Sequence, residues 1–390
     1  MDKPQSALSF STISAGLLAS VIGYSSTAVL IYQAAMKIGL PSEIASSWLT
    51  VLCIAMGILT SYFSYKYKTP IMLVWSTSGA ALLLSGLQTQ NINNVYGAFL
   101  ISAFLICVIG FSGLFEKMIN KIPLSLAQAM LSGILLNFAL NVFRAITSQA
   151  ILTVTLFLLY LVFKKFIARY AIILLAVIGF FISLLLNIVH LTPINMKFAL
   201  PIFYAPHFDF GTIVSIGLPL FIVTMTSQNM AGIATLHAHN YKVNISKLIG
   251  WTGLVNIFIA PFGGFALNFA AITASICMGK EAHPDKDKRF MAAVVSGLFY
   301  IIVGIFAGVI GQFFSSLPKE LISIITGLAL FGTITNGLAG AFKQQNEIDS
   351  AMITFFITAS GVMFLGIGSA FWGIVGGGIN YLITHHKTKP

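Results

Sequence analysis

A chain of 390 residues has room for two or three soluble domains, but 57% of it is hydrophobic, only 8% is charged and the mean hydropathy is +0.94, which excludes a soluble globular architecture. Apolar runs long enough to cross a hydrocarbon core of about 30 Å recur along the whole length, so the expected class is an all-α polytopic membrane protein. A net charge of +11 would suggest a nucleic-acid partner in a soluble protein; here the position of the charges reports membrane topology, and no nucleic acid is expected.

The N-terminal MDKPQSALSF carries no cleavable signal pattern, and the first span is expected to stay as a membrane anchor. Seven spans follow in the first half, at residues 10–35, 43–65, 69–87, 95–116, 122–143, 150–163 and 170–190. A polar, proline-bearing connection, LTPINMKFALPIFYAPHFDF, then leads to seven more at 211–236, 245–260, 261–278, 289–314, 319–341, 348–365 and 368–384. An odd number per half turns the second half upside down, giving 14 transmembrane segments as two inverted seven-segment repeats, the arrangement of alternating-access carriers. The charges support the count. With both termini in the cytoplasm, only Lys37, Arg144, Lys197 and Lys319 of the 21 Lys and Arg residues fall outside.

Segments three and ten are hydrophobic enough for a membrane but built wrongly for an uninterrupted helix. Segment three reads TPIMLVWSTSGAALLLSG over residues 69–86, and segment ten reads APFGGFALNFAAITASICM over 260–278. Setting Pro261 over Pro70 brings Asn268 over Thr77 and Ala271 over Ala80, so each reads as proline, extended chain, a polar step and a half-helix. Gly263 and Gly264 are expected in the extended part, with the second half-helix beginning near Phe269. A half-helix that starts inside the membrane exposes unpaired N–H groups and a positive dipole end, which attract an anion or polar acceptor. Such backbone is tolerated only when buried in protein or lining a cavity, so the two breaks mark the expected site.

Polar groups gather at the same depth. Matching Gly16 to Gly217 lays Tyr24, Ser25, Ser26 and Thr27 over Met225, Thr226, Ser227 and Gln228, and Asn229 completes the densest polar run inside any span. Ser76, Thr77 and Ser78 stand at the start of the first half-helix, where hydroxyls cap it or donate to a ligand. Trp75, Tyr24 and Phe269 adjoin these groups as candidate walls of an aromatic slot. Each feature also has a plain structural use: proline kinks, interhelical amide bonds and lipid-facing aromatics are common in membrane helices. Asn137 and Asn141 suit helix packing or a gate contact. All ten acidic residues fall in loops or at span ends, which favours an anion or a neutral polar ligand over a cation. Cys53, Cys107 and Cys277 show neither disulfide nor ligand spacing, His237, His239, His385 and His386 read as surface groups, and no hydrolase or phosphate-loop motif occurs. No enzyme activity, cofactor or metal is expected.

The run TMTSQNMAGIATLHAHNY, with APFGGFALNFAAITASICMG and the seven-plus-seven pattern, resembles the bacterial benzoate transporter family over nearly the whole chain. The family shares the uracil-permease fold with nucleobase permeases and anion exchangers. The resemblance implies short strands in segments three and ten, a core domain (residues 1–116 and 211–316) and a gate domain (117–210 and 317–390). It also implies proton-coupled import of benzoate or a similar small aromatic carboxylate, a homodimer among membrane lipid, and a multi-pass location in the bacterial inner membrane. Nucleobase permeases of this fold use acidic residues on helices eight and ten; here Gln228, Asn229 and Asn268 occupy the comparable regions, which suits a carboxylate and leaves its own carboxyl group to carry a proton. Candidate polar contacts are therefore Ser76, Thr77, Ser78, Ser227, Gln228, Asn229 and Asn268, with Tyr24, Trp75 and Phe269 as walls. Gly373, Gly376, Gly377 and Gly378 of the last span are expected to pack at the boundary between core and gate. A carrier of another anion or nucleobase-like compound, and a channel or membrane sensor, remain compatible with the same residues.

Overall fold

The computed structural model describes residues 6–37, 40–86, 91–115, 123–167, 171–189, 198–309, 317–362, 364 and 369–385. Each of the 14 expected segments contains helix. In the first half these are α1 (Phe10–Lys37), α2 (Ser42–Tyr67), α3 (Thr77–Gly86), α4 (Ile92–Ser112), α5 (Leu124–Arg144), α6 (Ala150–Phe166) and α7 (Ala171–Leu185). In the second they are α8 (residues 210–238), α9 (Ile245–Ile259), α10 (Ile272–Met278), α11 (Phe290–Ile305), α12 (Lys319–Ala341), α13 (Ile348–Ala359) and α14 (Ser369–His385). Among the described residues 8 helices are long and apolar enough to cross a membrane: α1, α2, α4, α5, α8, α9, α11 and α12.

The two breaks have local causes. Helix α2 ends where Lys68 turns left-handed (φ 51°) and Pro70, which has no N–H, follows. Helix α9 runs on as a 3-10 turn, Ala260–Phe262, and stops at Gly263 with φ 88°. Only glycine fits there, because a Cβ would run into the Trp48 ring. Beyond each stop the chain extends into a short strand, β1 (Leu73–Trp75) and β2 (Leu267–Phe269), which pair antiparallel with Leu73 opposite Phe269, Val74 opposite Asn268 and Trp75 opposite Leu267.

That register corrects the sequence alignment. A local two-fold between the strands places Asn268 over Val74 and Phe269 over Trp75, not Asn268 over Thr77. The half-helix α10 accordingly begins at Ile272 rather than near Phe269. The cause is the 3-10 turn and Gly263, which segment ten inserts between Pro261 and its strand and segment three lacks.

Helix packing falls into two groups. In one, α2 packs on α11, α4 on α9, and α1 on α3, α10 and α11. Small residues bring these backbones close: Gly57 faces Gly297, and Gly110 faces Gly250. Close approach matters because apolar side chains gain little from leaving lipid, so contact and backbone proximity carry the association. In the other group α5 packs on α12, α13 and α14, and α6 and α7 join α12. Val142, Leu152, Leu156, Leu175, Leu321 and Leu328 form an apolar cluster of this group's own. Gly373 and Gly377 of α14 back onto Thr358 and Thr354 of α13, so these glycines serve packing inside the second group rather than contact with the first. The connection before α8 lies on the first group: Ile202 N–H donates to Ser47 Oγ (2.8 Å), Tyr204 N–H to Pro261 O (2.9 Å) and His207 N–H to Asn93 O (2.8 Å).

Candidate functional site

A two-stranded sheet leaves each strand an outer edge, and an unpaired backbone group at membrane depth costs several kcal/mol. Side chains close both edges here. Thr60 of α2 donates its hydroxyl to Leu73 O (2.7 Å) and accepts from Leu73 N–H (3.0 Å). Ser64, one turn on, treats Ile71 in the same way (2.9 and 3.1 Å). For β2 the work falls to amides: Asn256 of α9 accepts from Leu267 N–H (3.0 Å) and donates to Leu267 O (3.5 Å), and Asn229 of α8 accepts from Phe269 N–H (2.9 Å). The strand ends are joined by Ser76 N–H to Ala266 O (3.0 Å) and Ala270 N–H to Met72 O (2.9 Å). Thr60, Ser64 and Asn256 escaped the sequence reading; the available signal was a lone amide in α9 one helix before the break.

The candidate residues converge on this sheet with differing duties. Ser76 Oγ accepts from Gly79 N–H (3.0 Å), capping α3, and receives the Thr224 hydroxyl of α8 (3.3 Å). Ser78 Oγ lies 3.4 Å from Ser76 Oγ, and Thr77 Oγ1 lies 3.0 Å from Thr27 Oγ1 of α1. Tyr24 and Trp75 stack obliquely, ring centroids 5.5 Å apart. Asn229 is buried and committed to Phe269 N–H and, through Nδ2, to Met225 Sδ (3.4 Å), so its role is to hold β2. Gln228 is half-buried; the side chain of Ser227 lies outside the described residues. Phe269 is buried where α8 comes close, since a Cβ on Gly232 would collide with it. The polar run itself forms a π-helical stretch, Thr224–Asn229, a widened turn common at functional sites.

Four polar atoms here are buried without a partner among the described residues: Tyr24 Oη, Asn268 Oδ1, Thr273 Oγ1 and Tyr300 Oη. Asn268 Nδ2 by contrast donates to Phe269 O (2.8 Å). A Cβ placed on Gly23 would meet Tyr300 Oη and approach Thr273 Cγ2 to 3.0 Å, so α11 presents a hydroxyl, and α10 the methyl of Thr273, at the turn of α1 that carries Tyr24. Thr273 is the second residue of α10, whose N-terminus has no side-chain cap, unlike that of α3. With seven residues, α10 makes about two turns and adds little axial dipole. What this end can offer a polar acceptor is the Thr273 hydroxyl and the N–H groups of its first turn. Orphaned polar atoms in such surroundings are costly unless water or ligand satisfies them. Glu347 stays apart at the start of α13, where Ser125 donates to its carboxylate (2.5 Å).

A cavity of about 460 Å³ lies further along α1 and α3, bordered by α5 and α12.

A family model described as benzoate membrane transport protein matches residues 6–383. An inner membrane protein of Escherichia coli, YdcO, is 43% identical over 372 residues, covering 95% of each chain. A benzoate membrane transport protein of Acinetobacter baylyi is 36% identical over 375 residues, covering 96% of this chain and 95% of that one. Among solved structures, the anion transporter SLC26A9 aligns with a TM-score of 0.65 at 13% identity, over 97% of this chain and 66% of the other. A cyanobacterial bicarbonate transporter, BicA, aligns through its transmembrane domain with a TM-score of 0.57 at 11% identity, over 97% and 98%. At those identities the structural likeness shows the fold.

Proposed function

The chain belongs to the benzoate membrane transport protein family, a family of membrane transporters rather than enzymes, and from that premise we propose that it imports benzoate or a similar small aromatic carboxylate, with protons, across the bacterial inner membrane. The carboxylate sits at the open N-terminus of α10, receiving hydrogen bonds from Thr273, Tyr24 and Tyr300, with the aromatic ring against Tyr24 and Trp75. Asn268 Oδ1 is an acceptor. It suits a protonated carboxyl, so the substrate itself carries the proton. The observation that carries this reading is the set of four buried polar atoms, on α1, β2, α10 and α11, that have no partner among the described residues.

Movement belongs to the same proposal. The helix group of α1–α4 and α8–α11 is the core and that of α5–α7 and α12–α14 the gate; they rock against each other as two inverted seven-span repeats, both termini cytoplasmic, in a homodimer. The separate packing of the two groups supports the partition.

Uptake of labelled benzoate into proteoliposomes under an imposed proton gradient is the test; equal flux with and without protein defeats the proposal. Thr273→Val and Tyr300→Phe remove hydroxyls that bond no group among the described residues, so the fold is kept while KM rises about three- to tenfold, the usual loss of one hydrogen bond. Unchanged KM in both removes the orphan hydroxyls from the site.

A further inference from the structure

The cavity of about 460 Å³ lies between the C-terminal end of α1, the end of α3, α5 and the N-terminal end of α12. Leu84 of α3 borders it and stands seven residues from Thr77, or about 10 Å of helix rise above the start of that half-helix. Its lining combines three chemistries. Tyr32 and Phe138 supply aromatic surface, Gln33 and Asn141 supply amides, and Lys319 supplies a positive charge. Thr326, also in the lining, is 3% exposed, and its hydroxyl has no partner among the described residues. Arg144 donates to Asn141 Oδ1 (3.1 Å), which brings a second cation to the rim and leaves the Asn141 amide nitrogen as a donor. Glu320, next to Lys319 in the helix, is not part of the lining. Of the four basic residues expected outside, Lys319 thus lines the cavity and Arg144 bonds one of its lining residues.

We propose that this cavity is an outer vestibule that captures an aromatic monocarboxylate, the carboxylate on Lys319 and the ring between Tyr32 and Phe138, before it passes along α1 and α3 to the central site. The volume lies within the roughly 300–1,000 Å³ of small-molecule sites. Lys319 is solvent-exposed at the mouth of the cavity, where a cation raises the local concentration of anions and loses that effect as salt rises. The vestibule rests on the carboxylate-transport reading for its direction of use, and its occupancy is measurable without transport.

The experiment places a reporter thiol in the cavity, Ser323→Cys, in full-length protein whose Cys53, Cys107 and Cys277 are replaced by Ala. In liposomes the anionic sulfonatoethyl thiosulfonate reacts with it faster than the cationic trimethylammonium reagent, and Lys319→Gln abolishes that preference. Benzoate slows the labelling; benzamide, its neutral counterpart, does not. In uptake, Lys319→Gln raises KM up to about fivefold at an unchanged maximal rate, the scale of a solvent-exposed charge contact, and Lys319→Arg restores it. Equal protection by benzoate and benzamide, or labelling indifferent to Lys319, overturns the vestibule. Charge-selective labelling and protection in a protein that takes up no benzoate leaves the vestibule standing and defeats the transport reading instead.

Discussion

Replacing Asn256 by Leu tests how the broken segments are held. The two side chains share one branched skeleton of heavy atoms and Leu is the bulkier, so the exchange leaves no cavity and removes the amide. In the structure that amide accepts from Leu267 N–H at 3.0 Å and donates to Leu267 O at 3.5 Å, and Asn256 is fully buried. The second bond is near the limit of hydrogen bonding and adds little; the first leaves a buried N–H unpaired when it is removed. An orphaned backbone donor costs about 1–3 kcal/mol, and the apolar setting puts this one toward the upper part of that range. The expected result is a thermal unfolding midpoint several degrees lower for purified protein in detergent, with a fall in benzoate uptake because β2 carries Asn268. Thr60→Val should act in the same direction, since one hydroxyl serves both backbone groups of Leu73. An Asn256→Leu protein with the wild-type midpoint and KM would refute the edge-clamp account.

Ser76→Ala removes the α3 cap and should cost about 1 kcal/mol in the same melting assay while moving KM for benzoate little, because Ser76 Oγ is already engaged by Gly79 N–H and the Thr224 hydroxyl; a large KM change at unaltered stability would make Ser76 a ligand contact instead. At the start of α8, the Thr212 hydroxyl and then its backbone N–H hold the Asp209 carboxyl below the usual carboxylate range. A depressed value means that this cap contributes stability above the ordinary carboxylate pKa and loses it as pH falls through the lowered one. Asp209→Asn should therefore weaken the dependence of the unfolding midpoint on acid pH, and an unaltered profile would show that the cap is not coupled to stability.

Much of the architecture was legible because membrane burial writes itself into composition. Apolar runs, basic residues at their ends, and the Pro-Gly interruptions of segments three and ten placed 14 segments, and helix lies in every one. Asn229 and Asn268 were picked out because an amide in a span demands a partner, and both lie at the sheet. Their duties were not legible. Asn229 serves the backbone of Phe269, and Ser76 serves that of Gly79, so the densest polar positions divide between scaffold and site. Thr273 and Tyr300, whose hydroxyls have no partner among the described residues, were indistinguishable by sequence from ordinary polar residues of apolar helices.

What the sequence determined by itself was local: how much chain is apolar, where a helix cannot continue, and which half-helix has a hydroxyl cap. What only the tertiary structure decided was the pairing of Val74 with Asn268, and with it the clamping of each strand by Thr60, Ser64, Asn256 and Asn229. The physical reason is that strands from opposite halves settle their register by satisfying backbone groups against each other and against neighbouring helices. Proline spacing within one segment carries no information about that exchange, and the 3-10 turn ending at Gly263 shifts it.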